Sequence, residues 1–193
     1  MTTSSNVLVG VPDKVSGGVY MADSVLDVTE YPVTDLTTPP TDMTPGGFIS
    51  EDGVTESNES DTERIRAWGG DTVRVVQTDH TVTYSFTFLE SKNAAVLKAV
   101  YGEDNVDTSN GLVTVNVNSD VLPHLSWAFE MKDGDSRIRV FVPDGQITTR
   151  GEINYTHTGA IQYEVTVEAF PDADGNKAIK VIEDGSGDDS GEG

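Results

Sequence analysis

The stretch HTVTYSFTFLE (His80–Glu90) sets Val82, Tyr84, Phe86 and Phe88 on one side and Thr81, Thr83, Ser85 and Thr87 on the other. A period of two in β-branched and aromatic residues marks a strand with one packed face and one wet face. The chain then changes period. In SKNAAVLKAVYG, Ala94, Leu97 and Val100 or Tyr101 fall at helical spacing, with Ser91 placed to cap the first turn and Gly102 to end the last. This predicts a helix over 91–101, the one convincing helix in the sequence.

Downstream, LVTVNVN from Leu112 alternates again, and a meander of strands follows it. Leu125–Lys132 leads through Asp133-Gly134 into Ser136–Val142, and Pro143-Asp144-Gly145 leads into Gln146–Tyr155. Asp-Gly favours hairpin turns because both residues tolerate positive φ. Ile161–Phe170 runs to DADGN (172–176) and a short last strand, AIKVI. Strands, one helix, then several antiparallel strands predict a mainly β fold: an antiparallel sandwich or partly open barrel with one flanking helix.

Working toward the N-terminus, residues 46–70 read GGFISEDGVTESNESDTERIRAWGG, with six acids from Glu51 to Glu63 and no base before Arg64. A charge run is ordinarily a solvated loop. The apolar residues around it, Phe48, Ile49, Ile65 and Trp68, are more than a solvated loop needs, and a long anchored loop is more often functional than idle. Residues 1–45, rich in Thr, Ser, Asp, Pro and Gly with brief apolar islands, read as an extended arm and first strands. The body is then 46–182, and 183–193 (EDGSGDDSGEG), with five acids and no base, reads as a disordered acidic tail.

Composition narrows the function. Lys+Arg 12 against Asp+Glu 33 gives a net charge of −21, and removing the tail's five acids leaves −16 on the rest. Such a surface is unsuited to holding nucleic acid by neutralising phosphates, or to docking on anionic membranes. Zero cysteines exclude a disulfide framework, a thiolate metal site and a cysteine nucleophile. No apolar run approaches the ~18 residues of a membrane span, and the N-terminus lacks the basic region of an export signal. His80, His124 and His157 do not pair at helical metal-site spacing, and no nucleophile elbow, Walker loop or dinucleotide fingerprint is present. Asp172, Asp174 and Asn176 alternate as calcium-loop ligands do, but without the distal Glu, so a tight hairpin is expected there. With 33 acids, some glycosidase-like carboxylate pair arises by chance. No catalytic residue, metal or cofactor is predicted.

Strand faces say more than motifs. Gln162, Glu164, Thr166 and Glu168 line one side of their strand; Glu130 and Lys132 lie opposite Trp127, Phe129 and Met131; Arg137 and Arg139 alternate with Ile138 and Val140. Each strand is expected to have a wet and a packed face.

Five segments together carry a resemblance: GVPDKVSGGVYMA (10–22), GFISEDGVTES (47–57), AWGGDTV (67–73), VVQTD (75–79) and FTFLESKNAAVLKAVYG (86–102). Across about residues 10–105 the chain resembles the major tail tube proteins of long non-contractile phage tails, particularly those of actinobacteriophages. Between Asp23 and Met43 it is proline- and threonine-rich in its own way. The resemblance implies a structural virion protein: a β-sandwich forming hexameric rings that stack into a hollow tube, through which viral double-stranded DNA passes into the host without tight binding. It implies assembly in the host cytoplasm alongside tape measure, tail terminator and tail tip proteins. By that analogy the long loop, with Phe48, Ile49, Glu51, Asp52, Ile65 and Trp68, bridges subunits or rings, and Glu130, Glu164 and Glu168 face the lumen. The reading from another class is a carbohydrate-binding or capsid-decorating sandwich, which should show exposed aromatics on a flat face; only 7% of this chain is aromatic.

Overall fold

The computed structural model describes residues 7–13, 17–28, 34–38 and 40–183. The expected acidic tail therefore lies, apart from Glu183, outside the described residues. In chain order the elements are β1 (Val11–Pro12), β2 (Val19–Met21), β3 (Thr44–Pro45), β4 (Thr55–Arg66), β5 (Thr72–Phe88), α1 (Ala94–Tyr101), β6 (Val106–Asp107), β7 (Thr114–Val115), β8 (His124–Asp133), β9 (Ser136–Arg150), β10 (Tyr163–Phe170) and β11 (Ile179–Ile182).

One antiparallel sheet in the order β3-β2-β8-β9-β10-β5-β4 holds most of these strands, with β1 added to β8 and β11 to β9; β6 and β7 pair separately. The alternation in β5 sets Val82, Tyr84, Phe86 and Phe88 inward, as expected. Tyr84 stacks on Phe129 with centroids 4.9 Å apart, and Phe86 meets Phe129 and Trp127 edge-on at 5.7 and 5.9 Å. β5 and β8 are not neighbours in the sheet, so these contacts exist because the sheet curls over itself into an open sandwich. Val96, Leu97, Ala99 and Val100 of α1 close the same core. The helix is capped by Asn93, whose Oδ1 accepts from the Ala95 amide at 3.0 Å, and not by Ser91. Gly102, at φ 93°, donates to the Lys98 carbonyl and ends it as expected.

Four sequence expectations need correction. The 46–70 segment is not a loop throughout: β4 occupies most of its second half and pairs along its length with β5, which begins at Thr72, eight residues before the alternation becomes visible. Pro143-Asp144-Gly145 is not a turn, because β9 continues through it with a bend. Pro143 sits where β9 leaves β11 (last pair Ile179↔Phe141) and joins β10 (Phe170↔Asp144), a gap in which its missing N–H costs no ladder bond. The register slip against β8 between Leu125 and Trp127 accommodates the bend, and Ser126 Oγ donates to the Pro143 carbonyl. Of LVTVNVN only Thr114–Val115 is strand. Finally, the region expected to be arm contributes to the core, since Val19 and Met21 are buried in β2.

The far face of β8 and β9 carries a second, smaller cluster, Tyr20, Ala128 and Phe141 with Leu26, Val28, Met43, Ile179 and Val181. Described parts of residues 24–43 thus lie over this face as a strap.

Candidate functional site: a carboxylate-rich sheet face and a projecting hairpin

Because β5 and β10 give their apolar sides to the core, their other sides form one continuous polar surface. On β5 it comprises Asp79, Thr81, Thr83, Ser85 and Thr87. Register places Asp61, Glu59, Ser57 and Thr55 of β4 beside the first four of these, and Glu168, Thr166 and Glu164 of β10 beside the last three. Ser85 and Thr166 hydroxyls are hydrogen-bonded across the strands at 3.0 Å. Gln146 and Thr149 extend the surface on β9. Every ionisable side chain at these positions is a carboxylate. Asp61 stands directly opposite Asp79, a like-charge pairing that costs stability.

Of the predicted lumen residues, Glu164 and Glu168 share this surface. Glu130 does not. It lies 6% exposed on the strapped face of β8, paired with the 1% exposed Arg139 directly opposite on β9. Arg139 also donates to the carbonyls of Asp35 (2.7 Å) and Thr38 (2.8 Å), and Arg137 to that of Leu36 (2.7 Å). The strap holds these carbonyls in place through Asp35, whose carboxylate accepts from the hydroxyl and amide of Thr37. Hydrogen bonds from the Thr37 and Thr38 side chains and the Thr37 amide lower its pKa to about 2. Burial raises the Glu130 pKa, and nearby Asp13 adds to this, while Arg139 and Arg137 pull it down without winning. Alternation separated the two faces correctly but could not reveal that 34–38 covers one of them.

The predicted bridging residues separate into two places. Phe48, Ile49, Glu51 and Asp52 sit beside the body: Ile49 forms a bridge with Phe88, the Phe48 amide donates to Glu90 Oε1 at 3.1 Å, and Glu51 and Asp52 are exposed in the turn that Gly53 closes onto Ser50. Ile65 and Trp68 belong to the far end of the β4–β5 hairpin, where the Ala67 amide bonds the Asp71 carbonyl and Gly70 takes φ 91°. Every residue from 58 to 75 is exposed. Sequence reasoning missed the hairpin's strand character and its basic end, Arg64, Arg66 and Arg74; the signal present was Gly69-Gly70 just ahead of the Thr- and Val-bearing run Thr72–Val76.

Among the described residues no group of three or more His, Cys, Asp or Glu side chains could hold a metal ion. At the DADGN turn, Asp172 Oδ1 instead accepts from the amides of Asp174 (3.0 Å) and Asn176 (2.8 Å) and shapes the hairpin. Among the described residues no helix is long and apolar enough to cross a membrane.

No curated protein sequence matches the chain. Among solved structures it is similar to one described as an extracellular contractile injection system, PVC sheath-tube complex in the extended state, at 10% identity and TM-score 0.47, over 95% of this chain and 100% of that one. The family model described as phage tail tube protein matches residues 5–189, nearly the whole length. With its curled antiparallel sheet and single flanking helix, the chain belongs to the phage tail tube protein family and is a structural component of the virion tail.

Proposed function

We propose that this tube subunit forms rings of six that stack into a hollow tail tube, that the polar face of β4, β5 and β10 lines the bore, and that double-stranded DNA slides along it into the host cell. The observation that carries this reading is the surface just described, on which Glu59, Asp61, Asp79, Glu164 and Glu168 alternate with hydroxyls and no base intervenes. Duplex DNA presents a charge about every 1.7 Å, and a basic wall would capture it through counterion release, whereas a hydrated anionic wall repels it evenly. Size supports assembly too. An aqueous channel needs roughly 16–18 strands, and one chain sets four on this side, β4, β5, β10 and the adjoining β9, so six copies would supply roughly two dozen.

The end of the hairpin, beyond the Asp61–Asp79 pair, supports contact between copies. A two-stranded ribbon without a packed face is marginal on its own, and this one exposes Ile65, Trp68, Val73 and Val75. In this reading it reaches a neighbouring subunit or ring. Phe48, Ile49, Glu51 and Asp52 adjoin the same contact, the tape measure protein fills the bore before ejection, and terminator and tip proteins close the two ends. Assembly takes place in the host cytoplasm, and no catalytic step is involved.

The test is a virion carrying Glu59→Lys, Glu164→Lys and Glu168→Lys together. Tubes should retain sixfold symmetry by electron microscopy while DNA ejection slows and becomes salt-dependent. Ejection at the unaltered rate, or density placing Glu164 and Glu168 on the outside of the tube, would overturn the lining.

A further inference from the structure

On the reading that the hairpin joins copies, its tip needs a landing site on a neighbouring chain. From Arg64 to Arg74 the tip holds three arginines and a single acid, Asp71, in a chain whose net charge is −21. None of these guanidiniums makes an ion pair among the described residues. Trp68, fully exposed, stands among them.

A cleft of about 560 Å³ lies near the other end of β5, between α1, the chain leaving it and residues 120–125. Its lining combines the small side chains Ala94, Ala95 and Ala99 with Asp23, Asp104 and Asp120. The lysine in the lining, Lys98, is taken by Glu103 at 3.0 Å, which leaves the three aspartates as the uncompensated charge. Apolar methyls within an acidic rim complement an indole surrounded by arginines, in shape and in sign.

We propose that the cleft beside α1 receives the hairpin tip of a second copy of this chain, the Trp68 indole over the alanine methyls and the tip arginines against the aspartates. Tip and cleft lie at opposite ends of a 17-residue strand, roughly 56 Å at about 3.3 Å per residue, so one chain cannot bring its own two ends together. The contact is head-to-tail between different patches, and such a contact propagates instead of closing on a pair.

The absence of cysteine makes the test clean. Full-length chain carrying Trp68→Cys and Ala95→Cys is assembled and oxidised, since a disulfide forms only when Cα atoms come within about 7 Å. A ladder of linked multimers on non-reducing gels, absent from either single variant, is the expected result. Dimers from Trp68→Cys alone would mean tip meets tip and overturn the proposal, as would tubes of the double variant that do not cross-link. If Trp68→Cys prevents assembly, charge exchange decides. Arg66→Glu and Asp104→Arg should each lower tube yield at least about tenfold, because reversed charges cost several kcal/mol, and the two combined should recover it. No recovery overturns the cleft. Replacing residues 58–75 with a short Gly-Ser linker separates the two readings: normal tubes would remove the hairpin itself from assembly, whereas short rings combined with negative cross-linking and no charge rescue would remove only the cleft.

Discussion

Replacing Arg139 with methionine takes away the cation paired with Glu130 and, with it, the donors that hold the Asp35 and Thr38 carbonyls. The guanidinium is 1% exposed and Glu130 6%, so water cannot replace the lost partner without opening the strap. Removing one member of a buried pair costs about 3–5 kcal/mol, a large part of the ~5–15 kcal/mol that holds a domain together. For a chain of this length that corresponds to a fall in Tm of roughly 6–20 °C. The strap carbonyls add little, because once released they can hydrate. The double variant Glu130→Met, Arg139→Met should recover most of the loss, since exchanging a whole buried pair for apolar groups is often neutral. Urea unfolding of unassembled subunits, followed by the fluorescence of buried Trp127, measures both. A single variant within ~1 kcal/mol of the parent, or a double variant no better than the single, would refute the account of the strap as held by this pair.

Glu130 also sets a pH dependence. Its folded pKa is raised, so its contribution is full below the ordinary glutamate range and is lost as pH climbs through the folded value; Glu130→Gln should flatten the fall in urea midpoint over that window, and an unchanged slope would count against it. Asp35 acts in the opposite sense, with its contribution lost only as pH drops toward about 2. Gly145→Ala should cost about 1–3 kcal/mol by overpacking, because a Cβ there comes to 2.8 Å from Trp127 and 2.9 Å from Val167, both without room to move; an unaltered urea midpoint would mean that the bend in β9 is looser than described. Tube formation should weaken at very low ionic strength, where the screening length grows from ~8 to ~30 Å and subunits of charge −21 repel across their whole surfaces; equal yields in both conditions would remove this repulsion from the account.

What could be read from the sequence was whatever has a buried side. β5 from His80, β8, β10 and α1 are legible because packing on one face imposes a period on the residues. β4, TESNESDTERIR, shows no such period because both of its faces meet solvent over most of its length, and its pairing with β5 rests on backbone bonds that leave no trace in side-chain type. Leu112, Val113 and Val117 mislead in the opposite way: with Val115 they read as a strand, yet they are exposed, and among the described residues only Thr114–Val115 between them finds a strand partner. Glu130 shows a third limit. Its place on the polar side of β8 was correct, but burial depends on 34–38, a segment about a hundred residues away that bonds through main-chain carbonyls. The composition of the candidate bore was legible for β5 and β10, and its extension onto β4 was not.

How the few cations are used connects the fold to assembly. Within the subunit, Arg137 and Arg139 hold the strap, Arg150 reaches the Val100 carbonyl at 3.2 Å, and Lys98 and Lys180 answer Glu103 and Glu56. Among the described residues Arg64, Arg66 and Arg74 make no ion pair, and they stand together on a ribbon whose residues are all exposed. If every surface were uniformly anionic, copies would repel in all orientations and no arrangement would be preferred. In the proposed docking a short cationic end on a long ribbon changes that, because only orientations that bring it to an acidic recess escape the repulsion. On that proposal general charge acts as the penalty on wrong contacts, and the tip supplies the exception that selects the right one.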